Sequence, residues 1–276
     1  MMGSTISKLI QNDKRFKILC TFKNYWKIKL IKLKKNKKKK LNVFDFNELK
    51  RIIFRFKPDF IINCVGLIKQ LSNKKNINKT KFLNTNLPKK LSIIAKNKNF
   101  KIIHLSTDCV FSGKKGNYKE SDKCDATDLY GISKFNGEVV SKFVLNIRTS
   151  IIGHELTSSN SLLNWFLIQK EINGFEKAFF SGLTTLELSN IIINEIIIKN
   201  KISNGLFHIS GPKISKLGLL KIVKRIYKRK TIINIDNSFK IDRSLNSNKF
   251  TKLINIKKKS WANMIKEQWI FNANFW

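Results

Sequence analysis

The amino-acid sequence predicts an α/β protein: a doubly wound parallel sheet followed by a smaller C-terminal lobe. Short, nearly continuous apolar runs alternate with longer helical patterns, as expected for strands buried on both faces and joined by crossover helices. At 276 residues the chain can bury a sizeable core in one large unit with an appendage. After residue 150 the alternation loosens. The expected division is therefore 1–150 for the ligand-binding sheet domain and 151–276 mainly for a substrate-facing lobe.

In order, "FKILCTF" (16–22), "FIINCVG" (60–66), "KIIHLST" (101–107) and "FVLNIRTS" (143–150) read as buried strands. Between them, "NELKRIIFRF" (47–56), "NLPKKLSIIAKN" (86–97) and "YGISKFNGEVVSKF" (130–143) read as helices. Further on, helices are expected over 160–171, 184–199, 214–228 and 260–271, with short strands near 205–209 and 231–236. There are no internal repeats, and 3 prolines are too few to mark a linker.

The formal charge of +37 would ordinarily suggest a nucleic-acid or membrane-surface protein. Only 7 of the 55 basic residues are Arg, however, and the chain is rich in Lys, Asn, Ile and Phe with only 5 Ala. Those are the residues of A/T-rich codons, whereas nucleic-acid surfaces favour Arg concentrated on one face. The block "KLKKNKKKK" (32–40) reads as a solvated loop. No specific nucleic-acid partner and no membrane partner is expected, although so positive a field attracts anionic ligands, nucleotides included. Cys20, Cys64, Cys109 and Cys124 show neither CxxC pairing nor metal-ligand spacing, and "GHELTS" lacks the second His of a zinc-protease helix. No metal site is expected. No apolar stretch reaches the roughly 18 residues of a membrane span and no signal-peptide core opens the chain, so the expected location is the cytoplasm.

In a sheet of this kind ligands bind beyond the carboxyl ends of the strands. "HLSTDCVFSG" places Ser106, Thr107 and Asp108 at such an end. "LYGISKFNGE" then sets Tyr130 and Lys134 four apart at the start of a helix, hence on one face. A nearby ammonium lowers a tyrosine pKa, and such a phenol can exchange a proton with a carbonyl or alkoxide oxygen held by a hydroxyl. In a Lys-rich chain an isolated Tyr-x-x-x-Lys recurs by chance as a half-exposed ring beside a solvated lysine.

The ordered set "PDFIINCVG", "NTNLP", "STDCVFSG", "YGISK", "NIRTSIIGHE", "GLFHISG" and "DRSLNSNKF" is far more specific. It resembles the extended short-chain dehydrogenase/reductase family, in the sugar-nucleotide branch typified by dTDP-4-dehydrorhamnose reductase, over nearly the whole chain. The resemblance implies a Rossmann-like fold and an NADPH-dependent reductase of a nucleotide-linked 4-keto-6-deoxy sugar serving surface polysaccharide synthesis. NADH is the permitted alternative cofactor, and a homodimer is allowed. It implies that Thr107 holds the substrate carbonyl, with Ser106 a substitute; that Tyr130 is the general acid; and that Lys134 binds the nicotinamide ribose and depresses the Tyr130 pKa. Asp45 would lie by the adenine, Cys64, Val65 and Gly66 would line the cofactor cleft, and Lys23 would face a 2′-phosphate. Asp108 and Arg148 would neighbour the substrate.

The chain departs from the family at its start. Gly3 matches the last glycine of the Gly-rich turn and "STISKLI" the helix after it, so the first strand and first two glycines are missing. That loss would leave two neighbouring strands with unpaired edges. The two explanations are a true start about ten residues upstream, which is favoured, or a decayed gene. Cys109 stands where the branch often has an aromatic. The other readings are an epimerase or dehydratase of the same superfamily, a non-catalytic subunit like that of methionine adenosyltransferase, and a polyanion binder driven by charge.

Overall fold

The computed structural model describes residues 1–23, 33–34 and 37–275. In chain order these form α1 (Met2–Ile10), β1 (Cys20–Phe22), β2 (Lys38–Lys40), α2 (Phe46–Phe56), β3 (Phe60–Asn63) and α3 (Ile77–Lys81). A π-type turn over Phe82–Asn86 joins α3 to α4 (Leu87–Lys98), followed by β4 (Lys101–Leu105), α5 (Leu129–Phe135) and β5 (Val144–Arg148). The second half holds β6 (Ile151–Ile152), α6 (Leu162–Leu167), β7 (Glu171–Phe175), β8 (Ala178–Phe180), β9 (Leu183–Thr184) and α7 (Thr185–Asn190), which a π-type segment extends to Ile198. β10 (Gly205–His208), β11 (Ile214–Ser215), α8 (Lys216–Ile226), β12 (Ile232–Asp236), β13 (Ile241–Asp242), α9 (Asn248–Ile254) and α10 (Trp261–Phe275) complete it.

The layering follows from adjacent pairs of apolar residues. Successive strand side chains point to opposite faces, yet Ile102 and Ile103 on β4, and Val144 and Leu145 on β5, are all buried. Ile102 and Val144 pack with Leu49, Ile53, Leu87 and Ile94 of α2 and α4. Ile103 and Leu145 pack with Met2, Ile6, Leu188, Ile192 and Met264 on the other side. A strand apolar on both faces requires helices on both, which is the doubly wound arrangement.

The main sheet is parallel, in the order β10-β5-β4-β3. β1 and β2 pair in parallel with each other, and among the described residues no ladder joins β1 to β3. Among the described residues the parallel strands of the first half and β10 thus fall into two sheets, β1-β2 and β10-β5-β4-β3. Small sheets β12-β7, β11-β8-β13 and β6-β9 build the C-terminal part. That part is not set off cleanly at residue 150: β10 extends the main sheet beside β5, and the residues of α1 share a core with those of α7 and α10.

Three expected elements differ. The helix expected over 130–143 ends at Phe135, where Asn136 and Gly137 break it and the chain turns back to start β5 at Val144. The helix expected over 160–171 covers only Leu162–Leu167, because the following residues pair as β7 with β12. In the lysine block 32–40, expected as a loop, Lys38–Lys40 form β2, in register with Cys20–Phe22; residues 32, 35 and 36 lie outside the described residues.

Candidate functional site

β4 ends at Leu105 and delivers Ser106, Thr107 and Asp108 to its carboxyl end. Thr107 caps a short 3-10 turn: its Oγ1 accepts the Cys109 N–H at 3.2 Å and donates to Asp108 Oδ1 at 3.1 Å. Facing this turn is the first turn of α5, capped by Asp128, whose Oδ1 accepts from the Gly131 N–H at 2.9 Å. A Cβ at position 131 would lie 2.2 Å from the Cys109 carbonyl oxygen, so only glycine lets α5 press this close. The close approach puts the half-buried Tyr130 beside Thr107. Lys134, one turn on and 6% exposed, donates to the Leu105 carbonyl at 2.5 Å. Thr107, Tyr130 and Lys134 therefore gather at one end of β4.

Electrostatics correct one expectation. The Tyr130 pKa is raised rather than lowered, first by burial and then by the nearby Cys109, Asp108 and Asp128, against the Thr107 hydrogen bond. The Lys134 ammonium is turned to the Leu105 carbonyl and is not what sets the phenol's titration. Burial pulls Lys134 itself down to about 8, opposed first by the Glu138 carboxylate and then by Cys64. Burial likewise pushes Asp108 up, opposed by Lys216 and Arg243.

Two residues assigned to substrate contact belong instead to a buried support. Ser106 Oγ donates to Glu138 Oε1 at 2.6 Å. Arg148, 2% exposed, makes a bidentate pair with the same carboxylate through Nε (2.8 Å) and Nη2 (2.7 Å). Both side chains are buried and engaged with the Glu138 carboxylate.

Along the cleft, Gly3 lies in the first turn of α1 against the end of β3, where a Cβ on it would be 3.6 Å from Cys64 Cβ. α1 starts without a side-chain cap, so its first-turn N–H groups are available to an anion. At Gly66 a Cβ would sit 3.1 Å from Asn84 Oδ1 and 3.9 Å from Lys134 Nζ, so the bare backbone there keeps the cleft floor clear. Val65 and Lys23 wall a cavity of about 180 Å³ beyond it, together with Asn42, Val43 and Phe44. Asp45 is not one of its walls: its Oδ1 caps α2 by accepting the Glu48 N–H at 2.9 Å. Asn42 and Val43, not Asp45, line that cavity. An uncapped helix start, a glycine floor and an end cavity fit an extended dinucleotide. Among the described residues no group of three or more His, Cys, Asp or Glu could hold a metal ion, and no helix is long and apolar enough to cross a membrane.

Sequence reasoning missed Asn84, Glu138 and Asn42. Asn84 sits in the π-type turn and ties three segments together: its Oδ1 accepts the Leu67 N–H at 2.8 Å, while its Nδ2 donates to the Leu67 carbonyl and to Ser133 Oγ. "NTNLP" marked its position but not this reach.

A helix-covered parallel sheet with a tyrosine and a lysine one turn apart at the end of a central strand defines a Rossmann-type α/β protein of the dehydrogenase and reductase kind. The RmlD substrate binding domain family matches residues 17–176, and the chain belongs to that family. It is 25% identical over 229 residues to a dTDP-4-dehydrorhamnose reductase of Aggregatibacter actinomycetemcomitans, covering 76% of this chain and 70% of that one. Its fold matches the crystal structure of a hypothetical dTDP-4-dehydrorhamnose reductase from Sulfolobus tokodaii, with a TM-score of 0.75 and 24% identity over 94% of this chain and 92% of the other. It also matches dTDP-4-dehydrorhamnose reductase from Bacillus anthracis in complex with NADP, with a TM-score of 0.72 and 18% identity over 88% and 94% of the two chains.

Proposed function

We propose that this chain is an NADPH-dependent reductase of a nucleotide-linked 4-keto-6-deoxy sugar, acting in the cytoplasm in the synthesis of a surface polysaccharide, with NADH the less favoured cofactor. The observation that carries the reading is the meeting of Thr107, Tyr130 and Lys134 beside a cleft that fits a dinucleotide. The names of the Aggregatibacter relative and of the NADP-bound Bacillus structure support it. In this reading residues 1–150 bind the dinucleotide and 151–276 mainly the sugar nucleotide, and Lys23 favours the 2′-phosphorylated cofactor.

The reduced nicotinamide supplies the hydride when bound. Thr107 Oγ1 holds the substrate's carbonyl oxygen, and Tyr130 gives its proton to that oxygen as negative charge develops there. A general acid must be protonated at working pH, and the raised pKa of Tyr130 keeps the phenol so. Lys134, still cationic at neutral pH, binds the ribose hydroxyls and places positive charge beneath the reacting groups. Asn84 and Asp128 hold α5 so that the three side chains stay in register.

The test is substrate-dependent NADPH oxidation with a dTDP-linked 4-keto-6-deoxy sugar. Tyr130→Phe is expected to lower kcat about 10²–10⁴-fold while NADPH binding and the unfolding midpoint stay near wild type. Undiminished turnover by that variant would sink the mechanism.

A further inference from the structure

The reacting groups are closed off in this structure. Thr107 is 5% exposed and Lys134 6%, yet the reading above requires a ketone oxygen at Thr107 Oγ1 and ribose hydroxyls at Lys134 Nζ. Something beside them must move aside. The chain leaves the glycine floor at Gly66, where a Cβ would be 3.9 Å from Lys134 Nζ, and makes a short 3-10 turn over Lys69–Leu71. The Lys69 charge is felt at Cys109, two residues past Thr107. This turn therefore lies against the reacting end of the cleft.

The turn is fixed at its root and held lightly across its span. At the root, both backbone groups of the buried Leu67 are bonded to Asn84, the N–H to Oδ1 at 2.8 Å and the carbonyl to Nδ2 at 3.1 Å. Residues 68–72 then bond to themselves: the Leu71 and Ser72 N–H groups and the Ser72 hydroxyl all donate to the Ile68 carbonyl at 3.0 Å. Two side chains reach out from this unit to different parts of the molecule. Lys69 Nζ pairs with Asp128 Oδ2 at 2.8 Å, two residues before Tyr130. Gln70 Nε2 donates to the Asn160 carbonyl at 3.2 Å, in the loop that leads into α6. Both contacts are exposed, and an ion pair or a single hydrogen bond in water contributes little. A preformed turn, tied down at one end, thus joins α5 to the C-terminal part through two weak links.

We propose that residues 68–72 are a strap over the reacting end of the cleft, latched to α5 by Lys69 and to the C-terminal part by Gln70, and that its release admits the nicotinamide end of the dinucleotide. This rests on the dinucleotide reading above. The unit swings about Leu67, which Asn84 holds in place, because the links that break are the two exposed ones. Release leaves Tyr130 in position: Asp128 caps α5 through Oδ1, and Lys69 uses only Oδ2. A latch of this kind acts on rates and not on affinity. The same two contacts are present before and after binding and must break for entry and for exit, so weakening them speeds both.

The experiment follows NADPH association with the full chain by stopped-flow fluorescence, and its dissociation by a chase with excess NADP⁺. Wild type is compared with Gln70→Ala, Lys69→Met, the double variant and Lys75→Met. Lys75, exposed in the next 3-10 turn, controls for the loss of one charge from a chain carrying +37. Gln70→Ala is expected to raise both rate constants about twofold over wild type, and Lys69→Met about twofold over Lys75→Met. The double variant should raise both about fourfold over Lys75→Met, with Kd within about 1.5-fold and the unfolding midpoint unchanged. A change in neither rate constant, or a change in one without a matching change in the other, overturns the strap and leaves the dinucleotide reading standing. No NADPH binding by wild type overturns both.

Discussion

The two ends of the cleft are built differently. At the β4–α5 end the polar groups are buried and tied to one another: Ser106 and Arg148 to Glu138, Asn84 to Leu67 and Ser133, Lys134 to Leu105. At the β1–β2 end the contacts are lysines over exposed or half-buried rings, with the exposed Phe44 stacked on Phe82 and Lys90 lying over both Phe82 and Phe46. Buried, mutually satisfied groups hold one geometry and are costly to break, while exposed cation–ring contacts are individually weak. A reaction centre needs the first kind of construction. A surface that captures and distinguishes a nucleotide can use the second.

That contrast breaks first at Glu138. Removing its carboxylate leaves the Arg148 guanidinium buried without its counter-ion, since His208 offers only a 3.5 Å contact. Glu138→Ala is expected to destabilise the fold by about 3–5 kcal/mol in urea titration. A loss below about 1 kcal/mol would mean that the network is not structural.

Lys134 sharpens the comparison through pH. Below about 8 its ammonium is present, and above it the charge is lost, so NADPH affinity is expected to fall about tenfold from pH 7 to 9, and Lys134→Met to flatten the profile. Stability carries the opposite sign. The unfolded lysine titrates near 10.5, so between about 8 and 10.5 the unfolded chain holds the extra proton and the Lys134 contribution to stability rises with pH. Binding and stability profiles that move together would contradict the assignment.

The smallest effect is expected at the other end. Phe44→Ala removes an exposed stacked ring and should cost about 0.5–1.5 kcal/mol in unfolding free energy, without changing the pH profile of turnover. A loss as large as that at Glu138 would erase the distinction between the two ends.

What the sequence by itself determined is what local pattern encodes. Paired apolar residues such as Ile102 and Ile103 specify a strand buried on both faces, and the four-residue spacing of Tyr130 and Lys134 specifies a shared helix face. Tertiary structure decided which polar group meets which. Ser106 and Arg148 sit at strand ends that pattern alone assigns to the cleft, yet both bond to Glu138, whose position depends on the chain turning at Asn136–Gly137 instead of continuing as helix. Asp45 became a helix cap and Asn42 a cavity wall because α2 begins one residue after Asp45. Tyr130 took a raised pKa because burial and its neighbours Cys109, Asp108 and Asp128 outweigh the Thr107 side chain, while Lys134 is turned to the Leu105 carbonyl. Spacing along a chain fixes which face a residue shares, but burial and charge at a point are sums over segments distant in sequence, and only the folded chain brings those segments together.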